Sequence, residues 1–182
     1  MAADAPYSHP VRTAALPQRK PLRFDLAPDA HERAAIAADL GLLDLPLARL
    51  KGELRPSGRR DFVLEARLAA EVIQPCVVSL APVPAEIAET VTRRYLADYL
   101  EPEGEDVEMP EDDTTEALGE AIDLGAVLVE ALSLALPLYP RAPGVSFDGQ
   151  IVAEPGAEPL TDEKLRPFAG LADLLKGKDP TE

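Results

Sequence analysis

Between Asp61 and Gln74 the sequence DFVLEARLAAEVIQ alternates so regularly that Phe62, Leu64, Ala66, Leu68, Ala70 and Val72 fall on one face at period two. An α-helix would scatter these residues around its circumference, so the stretch is read as a strand with one face to bury. The chain must therefore build a sheet and cover one side of it.

The neighbouring sequence supplies both the sheet and its cover. CVVSLAPV and EIAETVTRRYLADY are β-branched and partly alternating, with Pro82 and Pro84 between them. An antiparallel meander, with the prolines at turns or an edge, is the simplest reading. PLRFDLA reads as a short strand. AHERAAIAADLGLL reads as an amphipathic helix opened by Pro28 and Asp29, carrying Ala34, Ala35, Ala38 and Leu42 at near-helical spacing and stopped at Gly41. Farther on, Asp123 stands at an N-cap position and LGAVLVEALSLAL runs helically to Pro137. Only Ala126, Glu130 and Ser133 interrupt its apolar surface, so this helix is expected to be almost entirely buried. A last helix is expected from Pro167, with Phe168, Leu171 and Leu175 on one face, docked on the body.

The fold class is thus α+β: an antiparallel sheet built mainly from residues 60–97, covered by a 123–136 helix. A single domain over residues 21–178 suits a chain of 182 residues. Residues 1–20, rich in Pro and Ala without periodicity, are expected to form a flexible arm. The stretch 101–120 has ten acidic residues and no basic one, and is expected to be a mobile acidic loop; mimicry of a nucleic-acid surface for a basic partner is its other reading.

Composition narrows function. The chain is 46% hydrophobic but 4% aromatic and lacks Trp, so the core must be aliphatic, and the platforms on which single-stranded RNA is usually stacked are scarce. One cysteine, Cys76, cannot form an internal disulfide. No secretory signal and no apolar run of about 20 residues is present, so a soluble, cytoplasmic protein is expected. Net charge is −15 but uneven: residues 1–60 hold ten Lys or Arg against seven Asp or Glu, which leaves −18 for the remainder. Either one part of the chain contacts a partner, or the charge serves solubility.

No catalytic constellation emerges. His9 falls in the arm and His31 on an exposed helix beside Glu32. No Ser or Cys motif brings a nucleophile to a base, and no Gly-rich loop leads from a strand into a helix. Thirty-three acidic residues make any pairing of carboxylates uninformative. Cys76 has Ser79 where a second cysteine would complete C-x-x-C, and one thiol cannot hold zinc, so a buried inert cysteine is expected, with a remnant of a metal site and a reactive thiol as its other readings. The chain is read as a non-enzyme without cofactor or metal.

Three stretches resemble the YceD family of large ribosomal RNA subunit accumulation proteins. In QPCVVSLAPV, Cys76 and Pro82 match the family's C-x-R-C-x-x-P pattern, while Val78 and Ser79 depart from it. In IDLGAVLVEALSLALPLYPRAP, the residues Asp123, Leu124, Glu130, Leu134, Leu136, Pro137 and Pro140 fall on I-D-L, an acidic residue and L-A-L-P-x-x-P. RPFAGLADLLKGK matches P-F-A-x-L-x-x-L at Pro167, Phe168, Ala169, Leu171 and Leu174. Members with C-x-x-C often carry a further His and Cys after L-A-L-P, where Arg141, Ala142 and Pro143 stand here, so this branch is expected to be metal-free. The resemblance implies a bacterial, non-catalytic ribosome biogenesis factor needed for large-subunit ribosomal RNA to accumulate. Its partner would be the precursor RNA or a basic ribosomal protein. The alternative is a general acidic protein-binding module or holdase unrelated to ribosomes. The basic pairs nearest the expected sheet, Arg59 with Arg60 and Arg93 with Arg94, are the candidate partner-binding residues.

Overall fold

The computed structural model describes residues 5–99 and 114–146. The chain divides into two units, Met1–Gly144 and Val145–Glu182, and the architecture below is that of the first. The expected terminal helix from Pro167 and residues 101–113 of the acidic stretch lie outside the described residues.

The alternating stretch forms the centre of the sheet. Strands β1 (Pro10–Arg12), β2 (Leu22–Leu26), β3 (Asp44–Ser57), β4 (Asp61–Pro75), β5 (Pro82–Leu96), β6 (Thr115–Ala117) and β7 (Ala121–Asp123) are joined by helices α1 (Ala30–Asp39) and α2 (Leu124–Ala135). β2 to β5 form an antiparallel meander in which β3, outside the expected span of 60–97, is a second long strand, and β6 adds to β5 in parallel, giving the order β2-β3-β4-β5-β6. β1 and β7 pair separately. The period-two face of β4 is buried at every position from Phe62 to Val72. β3 repeats the pattern with Ala48, Leu50 and Leu54 inward. Across that pair Gly52 meets Ala66, so closely that a Cβ on Gly52 would lie 2.2 Å from the Glu65 carbonyl oxygen.

Both helices lie on the same side of the sheet. A reciprocal capping box starts α1: Asp29 accepts from the Glu32 N–H at 2.9 Å and Glu32 accepts from the Asp29 N–H at 2.7 Å. Gly41, at φ 65°, turns the chain out of it into β3. α2 begins where Asp123 accepts from the N–H groups of Gly125 and Ala126. Its face of Leu124, Val127, Leu128, Ala131 and Leu132 packs into an aliphatic core with Ile36, Leu50, Leu64 and Leu68.

Four expectations need correction. α2 is not buried all round: Leu134 is 74% exposed, because a single sheet covers only one side of the helix. In CVVSLAPV the residues 76–81 are a turn rather than a strand, since Leu80 adopts φ 60° and Cys76 and Ala81 close a loop at 2.8 Å, and only Pro82 and Val83 are strand, opening β5. Residues 5–16, read as part of a flexible arm, include β1, and Tyr7 and Leu16 are buried against the body. Residues 115–117 of the acidic stretch are strand β6, whose pairing to β5 satisfies backbone groups that composition says nothing about.

Candidate functional site

Covering one face of a meander leaves the other to solvent, and alternation puts charge there. On this open face β2 presents Arg23 and Asp25, and β3 presents Arg49, Lys51, Glu53 and Arg55. β4 presents Glu65, Arg67 and Glu71, and β5 presents Glu86 and Arg94. Cross-strand register sorts these charges into groups. Glu53 and Glu65 stand opposite each other and share Arg55, which pairs with Glu53 at 3.3 Å and also with Glu65; Arg23 reaches Glu53 at 3.6 Å.

The centre of the face is cationic. Lys51 lies opposite Arg67 on one side and Asp25 on the other. Asp25 is the carboxylate that answers them: Arg49 donates to it in a two-pronged contact at 2.6 and 2.5 Å, and Lys51 lies 3.9 Å away. The Arg49 hydrogen bond, more than the nearby charges, holds the Asp25 carboxyl below its ordinary range. Arg67 has no ion-pair partner among the described residues and is exposed. Sequence reading did not single out Arg49, Lys51 and Arg67. Their signal was the alternation of Arg49, Lys51, Glu53 and Arg55 with Ala48, Leu50, Gly52 and Leu54, the mark of a second long strand.

The four arginines singled out from the sequence do not form one group. Arg59 and Arg60 are exposed in the turn between β3 and β4, with Arg60 reaching Asp98 at 3.5 Å. Arg94 lies on the open face, opposite Val63. Arg93, one residue earlier, points to the helix side: its side chain is 14% exposed and is clamped by Glu116 at 3.2 Å and Glu130 at 2.8 Å. Arg93 thus joins β5, β6 and α2, and serves the fold. Burial, and then the Glu130 charge, push the Glu116 carboxyl above its ordinary value despite this arginine.

Among the described residues no group of three or more His, Cys, Asp or Glu is placed to hold a metal ion. Cys76 is buried at the start of its turn, and the backbone N–H groups of Ser79 and Ala142 each approach its Sγ at 3.4 Å. Hydrogen bonding from the Ser79 side chain, then from the Ala142 backbone, draws the thiol down to about 6. Ser79 and Ala142, 66 residues from Cys76 in the second case, thus each turn a backbone N–H toward this sulfur. Nearby, Val77, Leu80, Leu138 and Tyr139 are exposed apolar side chains. Among the described residues no helix is long and apolar enough to cross a membrane.

A family model described as large ribosomal RNA subunit accumulation protein YceD matches residues 64–175, more than half of the chain. The match begins within β4 and takes in β5, β6, β7 and α2, while β1 to β3 and α1 precede it. Neither the curated proteins nor the solved structures yield a match.

Proposed function

Because the chain belongs to the YceD family, we propose that it is a non-catalytic ribosome biogenesis factor needed for large-subunit ribosomal RNA to accumulate, working by binding precursor RNA or a basic ribosomal protein. The observation that carries this reading is the family match over residues 64–175, which takes in most of β4, then β5, β6 and α2. The open face supports it physically, because a broad solvated sheet surface with Arg49, Lys51 and Arg67 at its centre offers a binding area on an otherwise acidic protein.

A second reading, a general protein-binding module, is favoured by the exposed apolar side chains Val77, Leu80, Leu138 and Tyr139. Sedimentation separates the two. In a sucrose gradient of cell lysate the protein is expected to travel with particles that precede the large subunit. A deletion strain is expected to show a lowered ratio of large- to small-subunit ribosomal RNA that the wild-type chain restores. A normal ratio in that strain, during cold as well as ordinary growth, would exclude the ribosomal role.

A further inference from the structure

Strand β6 shows what the outer edge of β5 accepts. Arg94 donates its backbone N–H to the Thr114 carbonyl at 2.7 Å, and the Leu96 carbonyl accepts from the Leu118 N–H at 2.9 Å. Even-numbered residues of β5 therefore turn their backbone polar groups away from β4. The β4–β5 register runs without a shift from Phe62 opposite Tyr95 to Pro75 opposite Pro82, which carries this parity down the strand. β6 covers only Arg94–Leu96. Among the described residues, the N–H and C=O groups of Glu86, Ala88 and Thr90 and the N–H of Thr92 have no partner; the Thr92 carbonyl accepts from Arg93 Nη1 at 3.3 Å. Such an edge is a template for another strand.

The surroundings of the edge select the strand. On the helix side, a groove of ≈ 470 Å³ runs beside Glu89–Arg93 and is walled by Ala131, Leu134 and Ala135. The exposed Leu134 gives an incoming apolar side chain a surface to cover. On the open side Glu86 lies opposite Glu71, and like charges at that spacing repel. Glu71, Glu86 and Glu89 are exposed and have no ion-pair partner among the described residues.

We propose that the edge of β5 between Glu86 and Thr92 binds an extended cationic segment of a partner protein by strand addition. Alternate residues of that segment place apolar side chains in the groove against Leu134 and a Lys or Arg between Glu71 and Glu86. The inference rests on the reading of the chain as a binding factor and names protein rather than RNA as the partner here. An RNA strand would bring phosphates toward three carboxylates and lacks the amide ladder that the edge can pair.

The test uses the full chain and a short synthetic peptide of alternating Lys and Val, with a Glu and Val peptide as control, read by NMR hydrogen exchange. The Lys peptide is expected to slow exchange at the Ala88, Thr90 and Thr92 amides, and the Glu peptide is not. Thr90→Pro removes an outward N–H and no bond of the β4 ladder, so it should fold and bind the Lys peptide about tenfold more weakly. Glu71→Lys with Glu86→Lys should reverse the preference between the peptides, and this pair decides the matter if the proline variant does not fold. Equal binding of both peptides, or slowing of these amides by a single-stranded RNA oligonucleotide but not by the Lys peptide, would overturn the proposal. In cells, full rescue of an RNA deficit by Thr90→Pro removes the edge and leaves the ribosomal role standing. Peptide binding together with a normal RNA ratio in the deletion strain does the reverse.

Discussion

Asp123 links the N-terminal segment to α2 through one carboxylate. It accepts from the Ser8 hydroxyl at 2.6 Å, the His9 N–H at 2.7 Å, and the Gly125 and Ala126 N–H groups at 2.9 and 3.2 Å. The crossing is so close that a Cβ on Gly125 would lie 2.7 Å from the His9 nitrogen. Burial opposes ionisation of Asp123, but these hydrogen bonds outweigh it and hold the carboxyl below its ordinary value. A depressed carboxyl contributes stability above its unfolded pKa of about 3.9 and loses it as pH falls through the folded value. Asp123→Ala should therefore cost about 2 kcal/mol at neutral pH and raise amide exchange in residues 8–12. The advantage of the wild type over Asp123→Asn in urea unfolding should shrink at about pH 3. An advantage that is the same at both pH values would show that the charge of Asp123 contributes nothing.

Helix α2 has two roles on two faces. Leu128 is fully buried against the sheet, whereas Leu134, six residues on, stands in solvent beside the β5 edge. Leu128→Asp places an unpaired carboxylate in a dry site and should abolish cooperative unfolding, a cost of about 4 kcal/mol or more. Leu134→Asp should change the melting temperature by no more than about 2 °C. Circular dichroism of the two variants reads both outcomes, and a stable Leu128→Asp protein would mean that the helix is not the cover of this sheet.

Across the whole molecule, position rather than charge count decides what a cation does. Arg93 and Arg94 are adjacent in sequence, yet one is clamped under α2 and the other lies on the open face. Replacing Arg59, Arg60 and Arg94 together by Glu is expected to preserve the fold and weaken rescue of the ribosomal RNA ratio, since the changes fall on or beside the open face. Adding Arg93→Glu sets a third carboxylate between Glu116 and Glu130 and should unfold the protein. Full rescue by the triple variant would remove these arginines from binding. A melting curve for the quadruple variant matching that of the triple would contradict the clamp.

Local information was enough wherever one element's own period or cap specifies it. The alternation from Phe62 to Val72 makes a strand in any context that buries one face, and Asp123 followed by an apolar run makes a capped helix. The resemblance of IDLGAVLVEALSLALP to the family was legible for the same reason, being contiguous, and the stretch lies within the matched residues 64–175. Tertiary structure alone decided what depends on partners distant in sequence. β1 and β6 are strands and Arg93 is clamped because of β7, β5 and α2, which no local window contains. The two sides of the sheet also became a core and a solvated, charged face only when both helices packed on the same one, because burial is a property of the assembled layers and not of a strand.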